Sequence, residues 1–152
     1  MTPTRRHFLR ATLALSAATL IAGPAFAQKP AIYANDGIAI DGTDTVAYFT
    51  QGAPVAGSPD ITYEWRGATW RFASMENRDT FAADPEAYAP QFGGYCAYAV
   101  SEGTTASTIP EAWKIVDGKL YLNFSNRFHR RWERTQDKRI ADAHANWPEV
   151  LN

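Results

Sequence analysis

Cys96 is the only cysteine in the chain, and it is the one side chain that could act as a soft nucleophile or redox centre. It lies in Gln91-Phe92-Gly93-Gly94-Tyr95-Cys96-Ala97-Tyr98. Gly93 and Gly94 reset the backbone before a helix predicted over Tyr95 to Ser101. A thiol at a helix start feels the positive end of the helix dipole, and its pKa can fall from about 8.5 toward neutrality. The two glycines would let a ligand or partner approach closely, and Tyr95 and Tyr98 flank the thiol. The alternative is a small buried hydrophobe in an aromatic core. No second cysteine can resolve an oxidised Cys96, so a Cys-x-x-Cys mechanism is excluded. A cycling thiol must pass through a sulfenic acid or a mixed disulfide and an external reductant.

His129 is the nearest candidate companion. A Cys96/His129 pair could be a partial metal site or a nucleophile and its base, provided the last helix packs on the Gly93-Gly94 loop. The competing reading is an ordinary boundary histidine beside Trp132. Asp41 and Asp44 could orient Cys96 or supply an oxygen ligand, but aspartates in such a segment more often make turn and cap hydrogen bonds. Tyr48, Tyr95, Tyr98 and Trp113 could line a pocket or simply fill a core. No phosphate loop, Ser/His/Asp set, nucleotide fingerprint or His-x-x-x-His zinc pair is present, which argues against the common hydrolase and dehydrogenase classes.

These residues need elements to position them, and the first 27 residues are not among those elements. Arg5-Arg6 stands in Thr4 to Arg10, an apolar run covers Ala11 to Ala22, and Ala25-Phe26-Ala27 closes the segment. Charged, apolar and small-x-small regions in that order form an export signal of twin-arginine type, and the apolar run is short for a membrane span. The expected location is therefore the periplasm. The segment carries three arginines and no acid, so the remaining 12 basic and 16 acidic side chains leave a net charge of −4. Nucleic acid is not an expected partner. Residues 28–152 suit one domain, with a core about 38–100 and a second hairpin and helix over 113–146.

Within that domain, Ile38 to Ile40 reads as a short strand, and Asp44 as the cap of a helix through Phe49. Ile61–Trp65 and Thr69–Phe72, separated by Arg66-Gly67, predict an aromatic β-hairpin. Ser74 then caps a helix over Met75 to Ala83, and Asp84-Pro85 starts another turn. Asp117-Gly118 between Trp113–Val116 and Lys119–Phe124 is a strong hairpin signal. Ser125 caps a final helix from about Asn126 to Ala145 that ends at Trp147-Pro148. Phe128, Trp132, Ile140 and Ala143 share one face of it. Arg127, Arg130, Arg131, Arg134 and Lys138 share another, either a docking face for an acidic partner or anionic lipid, or, as preferred here, a solvated surface. The fold class is α+β: a small single domain of two antiparallel hairpins, short helices and an amphipathic C-terminal helix. Monomer is the default state, since no hydrophobic seam stands out.

Tyr63-Glu64-Trp65-Arg66-Gly67-Ala68-Thr69-Trp70-Arg71-Phe72-Ala73-Ser74, followed by Asn77, Phe81, Asp84-Pro85-Glu86 and Tyr88, resembles the YHS domain, and the Asp41 to Phe49 segment fits the same pattern. The mature chain is similar to an exported bacterial subgroup of that family, in some relatives of which selenocysteine stands at the position of Cys96. The resemblance implies a reactive role for that position, since selenium is suited to nucleophilic and redox chemistry. The metal-binding members carry three cysteines where this chain has Ala47, Ala73 and Asn77. A soft-metal site needs such ligands, so theirs does not carry over.

Three functions are therefore expected, in descending order. The first is thiol redox chemistry or redox-linked metal handling through Cys96, with a reductant as partner and Gly93, Gly94, Tyr95, Tyr98 and Asp44 around it. The second is a non-catalytic copper-type module with Cys96 and His129 as ligands. The third is an interaction module for another envelope protein.

Overall fold

The computed structural model describes residues 27–152; the twin-arginine pattern and apolar run read from the sequence lie outside them. Helices and two sheets make an α+β domain. Among the described residues no helix is long and apolar enough to cross a membrane.

The first hairpin forms as its aromatic, β-branched arms require: β3 (Ser58–Trp65) pairs antiparallel with β4 (Ala68–Phe72). It does not stand alone. β1 (Ala34–Asn35) and β2 (Ile38–Ala39) form a further small hairpin, and β2 lies parallel to β4 through Ile38 opposite Thr69. The sheet is therefore four-stranded, in the order β1-β2-β4-β3. The two hairpins expected from the sequence omitted β1, which is only two residues long and has no periodicity to read.

The second hairpin, β5 (Trp113–Val116) with β6 (Lys119–Leu122), divides the core. Side chains on a strand alternate between faces. Leu120 and Leu122 face Trp70, Phe72, Phe81 and Tyr48, while Tyr121 faces Trp132, Phe92, Val100 and Ala143. The same alternation carries Asn123, just beyond β6, onto the Tyr121 side.

The helix caps follow the side-chain chemistry. Asp44 caps α1 (Thr45–Thr50), Ser74 caps α2 (Met75–Ala83), Asp84 caps α3 (Pro85–Tyr88), and Ser125 caps α5 (Asn126–Arg134). Two helix readings are corrected. The helix expected from Tyr95 begins at Ala97, because Tyr95 is extended (φ −68°, ψ 157°); α4 is Ala97–Ser101 with Cys96 as its N-cap. The single C-terminal helix is two. The chain leaves helical conformation at Thr135 (φ −137°, ψ 39°), where the β-branched residue lowers helix propensity and its N–H bonds back to Trp132. α6 (Gln136–Asn146) then lies along α4, tied by the Asn146 amide to the Val100 carbonyl at 2.9 Å.

Candidate functional site around Cys96 and Asn123

Gly93 and Gly94 belong to a 3-10 turn, Gln91–Gly94, and both have positive φ. A side chain at Gly93 would collide with the Ala31 carbonyl, and one at Gly94 with Ile40. The close approach they permit is therefore by the protein's own N-terminal segment, not by a ligand as expected. Tyr95 is likewise structural, its hydroxyl donating to the Pro30 carbonyl at 2.9 Å.

Cys96 is 1% exposed. Its sulfur accepts hydrogen bonds from the Phe124 N–H at 3.2 Å and the Ala99 N–H at 3.5 Å. On its other side lies Asn123 Oδ1, 3.7 Å away, to which the thiol donates. Burial pushes the thiol pKa up, against the opposing backbone N–H groups of Ala99, Phe124 and Tyr98. The lowered pKa expected from a helix start is thus reversed: α4 has five residues and a correspondingly small dipole, and desolvation of the thiolate outweighs it.

Asn123 is fully buried. Its Oδ1 accepts the Tyr98 N–H at 3.1 Å, and that donor fixes which way the amide faces. Its Nδ2 then points at His129 Nδ1, 3.3 Å away. The structure therefore brings Cys96 and His129 into one hydrogen-bonded chain, but through an amide rather than face to face. Beyond it, His129 Nε2 lies 3.7 Å from Glu133, whose carboxylate accepts from Lys114 at 3.0 Å. The His129 ring also stacks on Trp132. Burial lowers its pKa, with Glu133 opposing, so the ring is neutral near pH 7. Asn123 escaped the sequence reading. Its signal was there: an amide one step past an apolar strand, at a position whose period-two face points inward.

The set does not fit a soft metal well. Asn123 stands between the two expected ligands, and among the described residues no group of three His, Cys, Asp or Glu side chains converges. Asp44 is elsewhere. Its Oδ1 accepts from the N–H groups of Val46 and Ala47, and its Oδ2 from Ala73 N–H at 2.9 Å and Asn77 Nδ2 at 2.7 Å. None of these bonds reaches the Cys96 loop, so Asp44 serves as cap and brace. Asp41 bonds Asn35 and Tyr33 near β1. Tyr48 donates to the Pro110 carbonyl and packs on Trp113 in the first core cluster, so the four aromatics proposed as one pocket are divided.

Tyr98 does border an open feature. With Cys96, Ala99, Ala106, Phe124 and Phe128 it lines an apolar groove of about 310 Å³, with the thiol at its floor. Phe124 is 47% exposed there.

No family model matches the chain, and neither a curated protein nor a solved structure matches it.

Proposed function

We propose that this is an exported, YHS-like thiol protein of the periplasm in which Cys96 is the redox centre. The observation that carries this reading is the chain Cys96–Asn123–His129, whose thiol lines a groove open to solvent. Two backbone N–H groups converge on the sulfur, and an orienting amide ties it to a neutral histidine. The fixed N–H donors favour the charged form of the sulfur against its burial, and the amide holds the thiol in one orientation.

The reaction class is two-electron oxidation by a hydroperoxide. The Cys96 sulfur bonds to the outer peroxide oxygen and the O–O bond breaks. Sulfur is oxidised to the sulfenic acid, the hydroperoxide is reduced to an alcohol, and the thiol proton ends on the departing oxygen. The Phe124 and Ala99 N–H groups stabilise negative charge on sulfur as it loses its proton. A small external thiol then condenses with the sulfenic acid, releasing water, and a second thiol returns Cys96 to its reduced state. The buried, neutral thiol keeps this reaction slow toward small polar reagents and favours those that enter through the apolar groove.

Folded protein treated with an organic hydroperoxide and a sulfenic-acid trap should gain one adduct, at Cys96, by intact mass. A Cys96 that takes up trap only after denaturation would overturn the reading. The copper-type alternative has less support, because the Asn123 amide separates its two ligands.

A further inference from the structure

The groove above Cys96 exposes apolar surface only, and Phe128 of α5 lines it; the same helix carries Arg127, Arg130, Arg131 and Arg134. Phe128 forms one wall, with Phe124 and Tyr98 edge-on to it at 5.9 and 5.1 Å. The Arg131 guanidinium sits over the Phe128 ring, 5.8 Å from its centroid. Arg127 is one helical turn before Arg131, so the two are neighbours on the helix surface beside Phe128 and form a positive edge there. Among the described residues, no acidic side chain lies within ion-pair distance of Arg127, Arg130, Arg131 or Arg134. The acids nearby are engaged elsewhere: Glu133 with Lys114, and Glu102, on the far rim, with Arg139. This is an uncompensated positive edge on a domain whose net charge is −4.

We infer that the groove and this edge together bind a single-chain anionic amphiphile, a free alkyl carboxylate. The alkyl chain lies along Phe124, Phe128, Tyr98 and Ala106, and the carboxylate meets Arg127 and Arg131. Three features favour this occupant. The groove's volume is at the small end of the range for ligand pockets, which suits one chain. Its apolar lining offers no partner to the N–H and C=O groups of a peptide laid across it, which would be left unpaired. It is concave, whereas a bilayer surface engages a convex apolar face. The inference goes beyond the redox reading and is independent of it, since it requires no reaction at sulfur.

Calorimetry with monomeric dodecanoate, below its micelle concentration, tests it. One molecule should bind per chain, with affinity falling as salt rises. Arg127→Glu with Arg131→Glu, both at exposed positions, should weaken binding at least about tenfold, the equivalent of roughly 1.4 kcal/mol. Phe124→Ser should weaken it as well, and dodecyltrimethylammonium, with the same chain and the opposite charge, should not bind. The bound chain should also slow labelling of Cys96. Absence of one-to-one binding, equal binding of the cation, or an unchanged affinity in the double variant would each overturn the inference. So would capture by phosphatidylglycerol vesicles without uptake of monomeric dodecanoate, which would make the face a bilayer-docking surface. Because heat of binding is read without thiol chemistry, an unreactive Cys96 leaves this test intact.

Discussion

The amide nitrogen of Asn123 lies 3.3 Å from Nδ1 of His129, and this contact sets the protonation of the ring. Because the Tyr98 N–H holds Oδ1, Nδ2 must donate, so Nδ1 accepts and the ring proton sits on Nε2. A protonated ring would put two donors face to face. Burial lowers the pKa of both His129 and His144. For each, the unfolded chain takes up its proton first as pH falls through about 6.5, while the folded chain resists. Protons bound by the unfolded state in excess favour unfolding, so stability declines from pH 7.5 toward 5.5. Urea midpoints at fixed ionic strength should descend across that range, and His144→Gln should remove part of the slope. A flat midpoint would contradict the neutral assignment. The Glu133 carboxylate, lowered chiefly by its hydrogen bond from Lys114, acts in a lower window: its support is present above its unfolded pKa and lost as pH falls through the folded value.

Asn123 should matter more than its silence in the sequence suggests. Asn123→Ala leaves the Tyr98 N–H, the thiol and His129 Nδ1 without their partner and opens a buried gap, for a loss of roughly 3 kcal/mol. Asn123→Asp keeps the shape but sets a carboxylate between sulfur and ring. The His129 pKa should rise, read by NMR titration, and the thiol should become harder to ionise. In the unmodified protein, labelling of Cys96 should rise with pH only above the ordinary thiol inflection near 8.5, as its upward shift requires. In Asn123→Asp the inflection should move higher still. A purely structural amide would leave both inflections where they were.

Asp44 presents the opposite case, a residue suspected of chemistry that is occupied by structure. Ala47, Ala73 and Asn77 each donate to its carboxylate. Donors from α1, the end of β4 and α2 thus gather on one buried acid. Asp44→Ala removes a helix cap worth about 1 kcal/mol and strands further donors at about 1–3 kcal/mol. Chemical denaturation should show a loss near 3 kcal/mol, with Cys96 labelling in the folded state unchanged. Asn77→Ala should cost less, because only one of the four bonds is its own.

How far the sequence spoke depended on whether the signal was local. Asp117-Gly118, the Arg66-Gly67 turn and the Asp44, Ser74, Asp84 and Ser125 caps each depend on a few adjacent residues, and each appears where the chemistry of those residues puts it. The parallel contact of Ile38 with Thr69 is set by tertiary packing across 31 positions, and nothing near either residue encodes it. The site divides in the same way. Cys96 and His129 could be picked by type, but the thiol's burial and the amide between them arise from β6 and α5 closing over α4. The thiol's raised pKa divides likewise: its place at a helix start is local, whereas the desolvation that outweighs the helix dipole is not.

Gly93 and Gly118 offer a controlled comparison of local and tertiary demands on glycine. Both have positive φ, 62° and 73°. At Gly118, in the β5–β6 turn, a Cβ would meet open space, so Gly118→Ala should cost only the left-handed backbone penalty of about 1–2 kcal/mol. At Gly93 the same penalty applies, and the Cβ would also collide with the Ala31 carbonyl, which is backbone and cannot rotate away. The Gly93 carbonyl meanwhile accepts the Tyr33 N–H at 2.8 Å. Relief requires the 31–33 segment to move, loosening the hydrogen bond between the Pro30 carbonyl and Tyr95 next to the thiol. Gly93→Ala should therefore lose at least about 1 kcal/mol more than Gly118→Ala, and folded-state labelling of Cys96 should quicken in Gly93→Ala alone. Equal losses with equal labelling would mean that the N-terminal segment does not brace the Cys96 loop.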